Sequence, residues 1–117
     1  MTPEGKVRTH LRKQARARGF EHRKLRWIGR HGAPDELVFW PFEESTCAEK
    51  PHVAALIEVK RQDGKVEDHQ NREITRLRNG GFRVFTVFSK EGTDLVLDYL
   101  TTLVQKGEGV VTKRGDE

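Results

Sequence analysis

Apolar residues recur at every fourth position near the start of the chain, at Val7, Leu11 and Ala15, behind a Thr2-Pro3 pair suited to an N-cap and first helical position. That spacing predicts a helix with one buried stripe. The pattern then becomes strand-like. Leu37, Val38, Phe39 and Trp40 form an apolar run, and the segment ending in Ala55-Leu56-Ile57-Glu58-Val59-Lys60 reads as a strand. Its period of two puts Leu56, Glu58 and Lys60 on one face and Ile57 and Val59 on the other. After the polar turn Arg61 to Lys65, the spacing of Val66, Gln70, Ile74 and Leu77 predicts a helix from Val66 to Asn79, stopped in left-handed fashion by Asn79-Gly80-Gly81. Phe82 to Phe88 reads as a buried strand with Val84 or Phe85 facing the helices. Lys90 to Gln105 reads as a last helix with Leu95, Val96, Tyr99, Leu100 and Leu103 turned inward or to an interface. From Lys106 the glycines and charges predict a flexible tail, 106–117. The order helix, strand, loop, strand, strand, helix, strand, helix predicts one α/β domain, 1–105, with a central mixed sheet flanked by helices.

Composition adds bounds. At 117 residues and 34% hydrophobic there is room for one core, and dimerisation would help so small a domain. No stretch is long and apolar enough to span a membrane, and the N-terminus lacks the apolar core of a signal peptide, so a cytoplasmic location is expected. The single Cys47 permits no intrachain disulfide. A zinc site from Cys47 with His52, His31 or His69 lacks paired-ligand spacing.

Charge changes the picture more than its net value of +4 suggests, because Lys6, Arg8, Arg12, Lys13, Arg16, Arg18, Arg23, Lys24, Arg26 and Arg30 all lie in the N-terminal quarter. Like charges along a helix are mildly destabilising unless an anion is near, and nucleic-acid phosphate is the natural one. The nucleic-acid-binding candidates are Arg8, Arg12, Lys13 and Arg16, read as a face away from Val7 and Leu11, with Arg26, Arg30 and Arg61 beyond that helix. The alternative is a solvated basic face. Trp27, Tyr99 and the phenylalanines fall at strand or core positions, which favours backbone and shape recognition over base stacking.

Two charged groups on one face of an otherwise apolar strand carry a desolvation cost unless a metal or a solvated cleft receives them. Asp35, after the tight Gly32-Ala33-Pro34 approach, leads into the first apolar run. Gln70 sits on the inward face of its helix, and Glu4 on that of the first helix. Each has a plainer reading: an exposed Glu/Lys pair, a turn-capping Asp, a half-exposed Gln, a macrodipole partner at the helix start.

Taken in order, Gly32-Ala33-Pro34-Asp35, Ile57-Glu58-Val59-Lys60, Gly64 with Gln70, and the stretch Leu77 to Ser89 resemble the virus-type replication-repair nuclease (VRR-NUC) domain, a branch of the PD-(D/E)XK nuclease superfamily. The likeness runs from about Glu4 to about Leu100. One departure is Pro41 to His52, longer than the short hairpin usual there. The resemblance implies a restriction-endonuclease-like fold and Mg²⁺- or Mn²⁺-dependent hydrolysis of DNA leaving a 5′-phosphate. On that basis Asp35 and Glu58 are expected to hold the metal with the Val59 carbonyl, and Glu4 is a further candidate, through water or as a supporting anchor. Lys60 is expected to orient water or offset developing charge, and Gln70 to position the lysine, the water or the phosphate.

Stand-alone short members of this family resemble structure-specific endonucleases, some of them homodimers that act on four-way (Holliday) junctions, and the resemblance implies a replication, recombination or repair setting in a phage or prophage. The lead expectation is therefore a structure-specific endonuclease for branched DNA. A flap endonuclease or less selective nickase is the alternative among enzymes, and a non-catalytic DNA-binding module the alternative outside them.

Overall fold

The computed structural model describes residues 1–42 and 52–116, with 107–116 by backbone alone. Its elements run α1 (Pro3–Ala17), β1 (Glu21–Lys24), β2 (Glu36–Phe39), β3 (Ala54–Val59), α2 (Asp68–Asn79), β4 (Val84–Val87) and α3 (Lys90–Asp116). The strands form one sheet in the order β1-β2-β3-β4. The β1/β2 and β2/β3 pairs are antiparallel, and β3/β4 is parallel. Antiparallel neighbours need only turns, whereas the parallel pair needs a crossover, and α2 supplies it.

The strand alternation distributes two cores. Val38, Ile57, Val59 and Val87 face α1 and α3, burying Leu11, Ala15, Leu97 and Leu100 with them. Leu56 and Val84 face α2 and meet Ile74, with Leu25, Trp27, Leu37, Val66 and Leu77 at the margin. Both candidates for the helix-facing position in the last strand are thus right, each for a different helix: Val84 packs towards α2 and Phe85 against the larger core.

Helix ends follow the local chemistry. Thr2 Oγ1 accepts from the Gly5 N–H at 3.0 Å, with Pro3 in the first turn. At the end of α2, Gly81 takes φ +96°, and the Phe82 N–H donates to the Leu77 carbonyl at 3.0 Å. This is the Schellman closure that the Asn79-Gly80-Gly81 stop implies. Immediately after so tight a turn Phe82 lies 55% exposed, so β4 begins at Val84 and is shorter than the predicted Phe82 to Phe88.

Four further expectations change. α2 begins at Asp68 rather than Val66, because Gln70 Oε1 accepts from the Glu67 N–H at 3.0 Å and closes a capping box there. Leu95 is 69% and Tyr99 48% exposed rather than turned inward, although the Tyr99 ring meets Phe85 edge-on at the margin of the larger core. α3 continues as helical backbone to Asp116 instead of ending at Gln105; glycine in a helix interior costs about 1 kcal/mol without forbidding it. Trp27 lies between β1 and β2, half-buried, its Nε1 donating to the Pro34 carbonyl at 2.7 Å. Among the described residues no helix is long and apolar enough to cross a membrane. Cys47 and most of the Pro41 to His52 loop lie outside the described residues.

Candidate active site

Sheet register, not sequence proximity, builds the site. Glu36 pairs with Ile57 across β2 and β3, so Asp35, one residue earlier, comes level with Glu58, one residue later. On the other side Glu58 pairs with Thr86 of β4. Asp35, Glu58 and Lys60 are therefore gathered at one end of the sheet. Lys60 Nζ stands 3.8 Å from Glu58 Oε1, both side chains mostly buried. The Lys60 N–H donates to the Val87 carbonyl at 2.9 Å, which keeps the lysine in the sheet rather than in the following turn.

The electrostatics of the pair are unbalanced. Burial pushes the Glu58 carboxyl up to about 7; repulsion from Asp35 and more weakly from Glu4 adds to it, against the opposing pull of Lys60 and Arg8. Asp35 moves the other way. Burial would raise it, but hydrogen bonds from Lys24 at 2.8 Å and Arg8 at 2.9 Å hold it below its ordinary value.

Beside Asp35 lies a carboxylate that pattern reading passed over. Glu36 is fully buried, on the α1 side of the sheet, and accepts from Arg8 Nη1 at 2.7 Å and from Arg12 Nη2 at 2.8 Å; its second oxygen pairs with His22 Nε2. Burial raises its pKa less than Arg12, His22 and Arg8 together lower it, so it stays ionised below the usual carboxylate range. The only sequence signal was a charged residue at an inward strand position, which strand periodicity marks as costly unless paired.

This network revises the basic face of α1. Arg8 and Arg12 do not point away from the Val7 and Leu11 stripe into solvent: both turn to the sheet end, and Arg8 also reaches Glu4 at 3.6 Å. Their long side chains lie beside the apolar stripe on the helix surface, close enough to curl round to a buried carboxylate. Lys13, Arg16, Arg26, Arg30 and Arg61 remain exposed, with Arg30 3.7 Å from Glu73 and Arg61 3.2 Å from Asp63.

Gln70 is buried as expected, at the start of α2. Its stem packs on Gly32, where a Cβ would stand 2.9 Å from Gln70 Cγ and 3.0 Å from Gln70 Cα, and Gly32 has φ +79°. Gly32→Ala is accordingly expected to destabilise the fold by about 1–3 kcal/mol through strain and collision. A urea midpoint within error of wild type would show that this approach is not constrained.

Oxygen donors dominate the sheet end: the Asp35 and Glu58 carboxylates and the Val59 carbonyl at the last residue of β3. Among the described residues no three His, Cys, Asp or Glu side chains converge as a metal-binding group. An ion there would keep several waters, which suits Mg²⁺ and Mn²⁺ and does not suit zinc. The donor chemistry fits a hard divalent ion, whose charge would also offset the burial that leaves Glu58 reluctant to ionise.

Comparison with known proteins identifies the family and the fold. The family model described as "VRR-NUC domain" matches residues 6–91. A solved structure described as a VRR_NUC domain superposes with a TM-score of 0.70 at 35% identity, covering 84% of this chain and 97% of that one. The search of curated proteins found no match. The mixed sheet with its flanking helices is a PD-(D/E)XK-like arrangement, and the chain belongs to the VRR-NUC family of nuclease-type domains.

Proposed function

We propose that the protein is a metal-dependent, structure-specific DNA endonuclease whose substrate is a four-way junction or other branched DNA. The observation that carries the catalytic reading is the register that sets Asp35 level with Glu58 and brings Lys60 to 3.8 Å from it, a set that DNA binding alone does not require. Asp35 and Glu58, with the Val59 carbonyl, would hold Mg²⁺ or Mn²⁺, and Glu4 would support them from α1. When bound, the ion polarises the scissile phosphate and acidifies a water. Lys60 orients the attacking water or offsets the charge that develops on the phosphate. Gln70, packed against the Gly32 turn with its Oε1 taken by the Glu67 N–H, would position the lysine, the water or the phosphate. Lys13, Arg16, Arg26, Arg30 and Arg61 supply exposed cations for backbone phosphates.

The junction preference rests on a homodimer, since two-fold symmetry would place two such sites on two like strands. Exposed Leu95 and Tyr99 on α3 support that reading by offering apolar surface to a second copy.

The test compares the protein with its Lys60→Ala variant on labelled four-way junctions, flaps and linear duplex, with Mg²⁺, Mn²⁺ or chelator. Symmetric metal-dependent nicks in the junction, lost in the variant, are expected. Equal rates on all three substrates would exclude junction selectivity in favour of a nickase or flap enzyme, and tight binding without cutting would point to a binding module. Binding is also expected to weaken steeply from low to moderate salt, as phosphate contacts require; a flat salt response in a filter-binding titration would count against DNA as the partner.

A further inference from the structure

Both oxygens of Asp35 carry a cation, and the two cations are held very differently. Arg8 donates to Oδ1 at 2.9 Å, and the same Nη1 is tied to the buried Glu36 at 2.7 Å. Lys24 donates to Oδ2 at 2.8 Å from the end of β1, an edge strand, with its side chain 53% exposed. Its other carboxylate neighbour, Glu36 Oε1, is 3.7 Å away and already accepts from Arg8 and Arg12. Among the described residues Lys24 therefore has its closest ion pair with Asp35, on a flexible stem that solvent already reaches.

We propose that Lys24 is a substrate-positioning residue: its ammonium occupies Asp35 in the resting protein, yields that oxygen to a divalent cation, and then binds a phosphate oxygen of the DNA strand. This rests on the nuclease reading above. A divalent ion shared by Asp35 and Glu58 would stand close to the ammonium and repel it, whereas Arg8 is retained by its buried anchor. Turning an exposed lysine out of a half-solvated pair costs little, and its compact charge needs no bidentate geometry to meet a new anion. Turned away from the ion, the ammonium on its long stem remains within reach of the phosphate that the ion would hold.

The experiment measures Mn²⁺ alone, without DNA, binding to wild type, Lys24→Met, Lys24→Arg and Asp35→Asn by titration calorimetry. It then measures affinity for a four-way junction in Ca²⁺ and in chelator at one salt concentration. Lys24→Met is expected to bind Mn²⁺ about tenfold more tightly because the competing cation is gone. It should lose about tenfold in junction affinity in Ca²⁺ and less than about twofold in chelator, with Lys24→Arg restoring most of the loss. Unchanged or weaker Mn²⁺ binding by Lys24→Met overturns the proposal, as do equal losses with and without metal, which mark a general basic contact. Wild type that binds no Mn²⁺, or binds it equally after Asp35→Asn, overturns the metal-site reading itself and this inference with it.

Discussion

Glu58→Gln is expected to reduce DNA cleavage by at least about a thousandfold while making the metal-free protein more stable at pH 8. The rate loss follows from the proposed site: the variant lacks one of the two carboxylates that would hold the ion, on which several kcal/mol of transition-state stabilisation would depend. The stability gain follows from the raised carboxyl of Glu58, about 7 against an ordinary 4.5. Between those values the folded protein keeps a proton that the unfolded chain has released, so stability falls as pH rises through the window and the full penalty, about 3 kcal/mol, stands above pH 7. Glutamine has the same shape and no charge to desolvate. Urea unfolding in chelator should therefore show the variant more stable at pH 8, with the difference closing towards pH 4.5. A variant no more stable than wild type at pH 8 would mean that Glu58 ionises in the fold without strain.

Glu36→Ala should be the most damaging substitution for the fold, at about 2–4 kcal/mol, a large share of the about 5–15 kcal/mol typical of a whole domain. The carboxylate is fully buried and binds Arg8, Arg12 and His22 from two elements. Without it Arg8 keeps Asp35 and Glu4, but Arg12 has no other carboxylate among the described contacts. The Arg12 side chain is 37% exposed and can turn partly to water, so the loss stays below the full cost of stranding a buried charge. Glu36→Gln, which keeps an acceptor in place, should lose less. The two urea midpoints decide it, and a loss under about 1 kcal/mol for alanine would show the network to be dispensable. Because Glu36 and Asp35 are both held below their ordinary values, their contribution is complete above about pH 4.5 and is lost on further acidification. With Glu58 opposing above that point, the metal-free protein should be most stable in mildly acidic solution.

Much of the site was legible because strand periodicity and short-range chemistry act locally. Glu58 and Lys60 share a face whatever else surrounds them, the Thr2-Pro3 start caps α1, and Gly81 closes α2. Gln70 was correctly placed on the inward face of α2, but its hydrogen bond at the Glu67 cap was not foreseen. Arg8 and Arg12 were read as a solvent-facing basic strip because helical spacing gives a side chain's starting direction, not its end point. The pattern places Leu95 and Tyr99 inward or at an interface without saying how much of a helix its neighbours cover, and the fold leaves both exposed.

The chain alone thus determined the order of the elements and the apolar faces and nominated Asp35, Glu58 and Lys60 as candidates, since each of these readings depends on residues a few positions apart. Only the tertiary structure decided that Asp35 stands level with Glu58, that Glu36 rather than solvent receives two arginines of α1, and that Lys24 closes on Asp35. Those contacts join residues from separate elements, and their strength depends on burial that exists only once α1 and the sheet have packed together.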